Sequence, residues 1–170
     1  MTRADLKFII PFLLYVGFGI YTSFEFKFVE DHKALDIALK WFLAPSLVAG
    51  IIYSYYTVFK RGPEQAQWRK VLGLAALSLI FTLMFLRASE GYLIFWNAHV
   101  GTQNQIILKG TVSRLDYPKK KKMLNSYSIY IDIDSVSENI KLDVPTNNYG
   151  VGQRFEKKMI KGSLGILYSH

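Results

Sequence analysis

Apolar residues fall in three long runs before residue 100 and in short alternating stretches after it. The long runs predict helices. "FIIPFLLYVGFGIYTSF" starts at residue 8 and gives a first span over about 8–26, with Lys7 able to snorkel at its edge. "WFLAPSLVAGIIYSYYTVF" fills 41–59 between Lys40 and Lys60, and at 1.5 Å per residue it covers about 28 Å, the depth of a bilayer core. "VLGLAALSLIFTLMFL" starts at residue 71 and, with "RASEGYLIFW" behind it, predicts a third helix over 71–96. Pro11 is expected in the first turn or so of the first helix, and Pro45 near an end of the second or at a mild kink. Gly17, Gly19, Ala49, Gly50, Gly73, Ala75 and Ala76 are small enough to let the helices approach closely.

From Gln105 the period changes to two. "QIILKGTVSRL" reads as a strand with a bulge or bend at Gly110. "SYSIYIDID" puts Tyr127, Ile129, Ile131 and Ile133 on one face and Ser128, Tyr130, Asp132 and Asp134 on the other. "NIKLDV" alternates again, "PTNNYGVGQ" is turn-rich, "RFEKKMI" is a short strand or a helical turn, and "GSLGILY" is a last strand. The expected fold is therefore three transmembrane helices in residues 1–100, followed by a small all-β domain in 101–170. That domain is an antiparallel barrel or sandwich of four to five strands.

Composition supports two solvents: 51% of the 170 residues are apolar and 15% aromatic, too many for an ordinary soluble chain. The net charge of +8 does not require nucleic acid, because basic residues also collect beside membrane spans. Their distribution sets the expected orientation. Arg3 and Lys7, and later Lys60, Arg61, Arg69 and Lys70, outnumber nearby acids, whereas 25–40 carries Glu25, Glu30, Asp31 and Asp36 against Lys27, Lys33 and Lys40. This places the N-terminus in the cytoplasm and the β-domain outside it, in a bacterial inner membrane. Asp5 and the lack of a small-x-small cleavage site argue for an uncleaved anchor.

Candidate chemistry is sparse. No cysteine is present, and His32, His99 and His170 lack metal-ligand spacing. "YGVGQRF" is a turn and not a phosphate loop, no G-x-S-x-G elbow occurs, and Ser169 with His170 lie at the poorly anchored end. Glu90, Asn97 and His99 are the only reactive types expected at headgroup level. No catalytic residue, cofactor or metal is assigned. Arg87 and Glu90, three apart, can pair, either at the headgroup boundary or inside the membrane along a transport route. Lys119, Lys120, Lys121 and Lys122 follow Pro118 between the first two strands. They are either a solvated hairpin tip that deters edge pairing, or a hook for anionic headgroups, envelope polymer or an acidic protein.

Tyr117, Tyr127, Tyr130, Tyr149 and Phe155 are the aromatic anchors available to a partner. The expected function is that of a non-enzymatic membrane protein presenting its β-domain to another protein, as an accessory subunit of an envelope complex or a toxin-immunity protein. The expected partners are membrane lipids and another protein, without nucleic acid and with homo-oligomerisation open. The alternative is an oligomeric transporter or channel component using Arg87 and Glu90.

Overall fold

The three apolar runs lie within helices, where interior backbone donors and acceptors pair inside the segment. The computed structural model describes residues 3–60, 66–117, 127–133 and 139–169. Its helices are α1 (Arg3–Glu25), α2 (Asp31–Tyr55), which continues as a π-helical turn Tyr56–Lys60, and α3 (Gln67–His99). Each is long and apolar enough to cross a membrane. The strands β1 (Asn104–Asp116), β2 (Tyr127–Ile133), β3 (Asn139–Val144), β4 (Arg154–Lys161) and β5 (Leu167–Tyr168) form one curled antiparallel sheet in the order β3-β2-β1-β4-β5. The chain groups into two compact units, Met1–Thr22 with Leu35–Leu93, and Ser23–Ala34 with Ile94–His170. The connector between α1 and α2 thus belongs with the sheet.

In the first unit α1 and α3 run parallel and α2 antiparallel. Phe8 stacks on Tyr56 with ring centroids 4.0 Å apart, and Tyr53 donates to the Phe8 carbonyl at 3.1 Å. Tyr15 and Ser89 share a hydrogen bond of 2.8 Å between α1 and α3. Glycine sets the closest approaches: a Cβ on Gly91 would overlap the Gly19 carbonyl, and one on Gly50 would overlap Thr82 Oγ1. Gly17, by contrast, would meet nothing within 4 Å. α2 begins at Asp31 and not at residue 41, so Pro45 is interior. Pro11 is likewise interior to α1 and not in its first turn.

The sheet unit has a conventional core of Val112, Ile129, Ile131, Leu142, Phe155 and Met159, with Phe28 and Leu167 joining it. "RFEKKMI" is a strand, paired with β1 from Asn104↔Lys161 to Thr111↔Arg154. Only Leu167 and Tyr168 of the last segment pair with β4. The irregularity in β1 falls between Val112 and Arg114, not at Gly110. Gly110 instead permits close strand approach, since a Cβ there would overlap the carbonyl of Asp132 on β2. Ser169 is not loosely held, since its backbone N–H and C=O both bond Lys27, at 2.9 and 2.8 Å.

Candidate functional site

Five strands leave two open edges, β3 and β5, each a row of unpaired backbone groups. The connector "FKFVE", residues 26–30, covers both. Lys27 bridges Ser169 and Val29 bridges Asp143, while Glu30 N–H donates to Leu167 O at 2.9 Å and Asp143 N–H to Val29 O at 3.0 Å. A half-barrel is thereby strapped into a ring. A circuit from Asp116 through Ser128, Asp143 and Val29 to Leu167, Lys161 and Asn104 leaves β1 at one end and returns at the other, so the strands are steeply tilted.

Phe28 lies between the two bridges with φ of 54°, a conformation costly for a bulky L-residue. Its ring is buried in the barrel core near Phe155, with centroids 6.4 Å apart, and the Lys157 ammonium stands 3.6 Å above its centroid. Burial, helped by the nearby Lys27 charge, pulls the Lys157 pKa below its usual value.

A second fixture is Asn97, in the last turns of α3 and fully buried. Its Oδ1 accepts from Leu164 N–H at 2.9 Å and Ile166 N–H at 3.3 Å, and its Nδ2 donates to Ile166 O at 3.0 Å. Gly162 must be glycine because a Cβ would overlap the Asn97 carbonyl. Asn97 therefore latches the loop before β5 through both ends of its amide. His99 stacks on Phe95 at 4.2 Å and its Nδ1 bonds the Phe95 carbonyl at 2.9 Å.

The aromatic candidates divide. Tyr117 and Tyr127 meet edge to face at 5.3 Å, Tyr117 donates to the Tyr149 carbonyl at 3.4 Å, and Tyr149 lies 6.0 Å from Phe155. The three tyrosines are half-buried against the core. Burial, together with Tyr117, pushes the Tyr149 phenol up. Phe155 is only 4% exposed, so it is core and has no ring surface left for a partner. Tyr130 belongs to the opposite face of β2. It is paired with Arg114 on β1 and Lys141 on β3, whose cationic groups lie 5.4 and 5.7 Å from its ring centroid. Lys141 also pairs with Asp116 at 3.3 Å, making a charge ladder that largely satisfies itself.

Arg87 Nη1 donates to Glu90 Oε2 within α3; Glu90 is 3% exposed, while Arg87 is open. Lys119 to Lys122 and Asp134 lie outside the described residues. Among the described residues no group of three His, Cys, Asp or Glu could hold a metal ion. Residue patterns missed the strap, although its Phe26-Lys27-Phe28 alternation was a strand signal, and they missed the structural use of Asn97. No family model, curated protein or solved structure matches this chain.

Proposed function

We propose that this is a membrane-anchored binding module: α1, α2 and α3 cross the bilayer and hold the strapped barrel in water for another protein to grip. The observation that carries the reading is the wide apolar surface of the helical unit, which buries hydroxyl groups and a carboxylate beside its apolar contacts. Thr22, Ser46, Ser54, Thr82, Ser89 and Glu90 are buried, while Leu14, Leu79 and Trp41 are 68%, 63% and 74% exposed. In water this arrangement costs free energy at every exposed leucine; in hydrocarbon it costs little, and interhelical contacts are then made by small and hydroxyl residues. The charge bias of the connections supports a cytoplasmic N-terminus and an extracytoplasmic barrel.

For the partner surface, the half-buried tyrosines Tyr117, Tyr127 and Tyr149 offer amphipathic anchors. Val151 stands beside them in chain order, 67% exposed on a turn fixed by Gly152 N–H to Val112 O at 2.8 Å. An accessory subunit of an envelope complex and an immunity protein use the same physics, and the module carries out no chemistry of its own. The test is alkaline extraction of membranes, a reporter fused at His170 for sidedness, and crosslinking through Tyr149 and Val151. A chain released by alkali sinks the anchor. Partner capture unchanged by Tyr149→Ala and Val151→Ser sinks the surface.

The burial of Glu90 supports a second reading, transport by an oligomer along the Arg87–Glu90 pair. Ion or proton flux in proteoliposomes, abolished by Glu90→Gln, would replace the first reading with it.

A further inference from the structure

The strap joins two helices that are each long enough to cross a membrane, so on the anchored reading residues 26–30 lie at the level of lipid phosphates. Four lysines lie about it in two pairs, Lys27 with Lys157 and Lys33 with Lys161. Lys27 is part of the strap, and Lys157 stands over Phe28 at 3.6 Å. Lys33 donates to Gly165 O at 2.8 Å, and a Cβ at Gly165 would lie 3.4 Å from Lys33 Nζ and 3.7 Å from Lys161 Cε, so these two side chains converge. Among the described residues Glu30, 4.0 Å from Lys33, is the only carboxylate within ion-pair range of any of the four.

Elsewhere on the sheet, two lysines have carboxylate partners. Lys109 pairs with Glu156 at 2.8 Å and Lys141 with Asp116 at 3.3 Å. Around the strap, like charges approach in pairs and Lys157 is drawn over a buried ring, so an anion between the members of a pair would be held by both.

We propose that Lys27 with Lys157, and Lys33 with Lys161, seat the phosphates of anionic lipid headgroups, clamping the strap to the bilayer surface. The inference rests on the anchored reading. Lysine suits such a seat because its ammonium is a point charge on a long stem, able to follow a mobile phosphate without a fixed fork geometry. Occupation of the seat also neutralises the repulsion next to the strained Phe28, so the lipid holds the ring closed.

The test uses the full chain in nanodiscs of phosphatidylcholine mixed with phosphatidylglycerol, with the retained lipid counted by native mass spectrometry. The wild type is expected to retain phosphatidylglycerol selectively, and each lysine changed to glutamine is expected to cut that preference about fivefold. Lys33→Gln with Lys161→Gln touches no aromatic ring and so tests the seat without disturbing Phe28, while Lys157→Arg is expected to keep the preference. Equal retention of both lipids by the wild type, or a preference indifferent to all four lysines, overturns the proposal. Inorganic phosphate competing at millimolar concentration would also overturn it in favour of a soluble anion. Failure to enter nanodiscs at all would instead count against the anchored reading, which the alkaline extraction measures separately.

Discussion

The two units differ in the mixture of residues they bury and in what they expose. The helical unit hides Thr22, Ser54, Ser89, Gly19, Gly50 and Gly91 and turns Leu13, Leu14, Leu79 and Ile80 outward, whereas the sheet unit hides Ile129, Ile131, Leu142 and Met159 and turns Lys158, Arg154 and Asp132 outward. On the anchored reading one rule accounts for both. Apolar surface is removed from water wherever water is the solvent, and where hydrocarbon is the solvent the interior is chosen by fit and hydrogen bonding. The same deletion should therefore have unequal effects in the two units.

The largest difference is expected from shortening an aliphatic side chain. Ile131 is fully buried in the barrel core, and Ile131→Ala should cost about 4 kcal/mol of barrel stability through lost contacts and a cavity. Leu79→Ala, at a residue 63% exposed, should change stability in lipid by less than about 0.5 kcal/mol. Denaturant titrations of both variants in nanodiscs check the pair, and similar costs would erase the contrast between the units. Next comes Asn97→Ala, expected to cost about 3 kcal/mol because it strands two buried amides and a carbonyl. Hydrogen exchange should locate the damage: the amides of Leu164 and Ile166 lose protection while that of Ile129 keeps it. Uniform loss across the sheet would mean Asn97 supports the whole barrel instead of one loop.

Much of this contrast was legible in the residues. Hydropathy located three helices and period two located β2 and β3, because each of those signals is repeated over many positions. The strap was hidden by its length: Glu25 precedes "FKFVE" and Glu30 ends it, and the alternation of Phe26, Lys27 and Phe28 spans too few residues to stand out. β4 looked ambiguous because Lys157 breaks the apolar alternation of Phe155 and Met159; only the fold reveals that its ammonium rests on Phe28. Spacing alone does not distinguish Gly91, which faces the Gly19 carbonyl, from Gly17, which faces nothing within 4 Å.

A smaller effect tests helix packing alone. Gly91→Val drives a side chain into the Gly19 carbonyl and should cost about 1–3 kcal/mol, read as a lower thermal midpoint in nanodiscs. Gly17→Val meets nothing and should leave the midpoint in place. If both variants behaved alike, close backbone contact would not be what holds α1 against α3.

The smallest effect is electrostatic and belongs to the strap. Asp143 is half-buried, takes the Ser128 hydroxyl at 2.6 Å, and gives its backbone N–H to Val29. Burial, reinforced by Asp31, raises its pKa against the opposing pulls of Ser128, Lys141 and His32. A carboxyl with a raised folded pKa binds its proton more readily in the native state. Its contribution is therefore full below the unfolded value near about 3.9 and is lost as pH rises through the folded value. Above that range the ionised group destabilises the barrel. Asp143→Asn keeps an acceptor for Ser128 and carries no charge, so it should stabilise the barrel at pH 7 by at most about 1 kcal/mol, since solvent screens a group that is only half-buried. The gain should shrink to nothing below about pH 4. Denaturant midpoints of both proteins from pH 3 to pH 8 measure the difference. A loss at pH 7 would show that Lys141 and His32 hold the carboxylate more strongly than burial opposes it, and that the strap is anchored by charge as well as by its backbone.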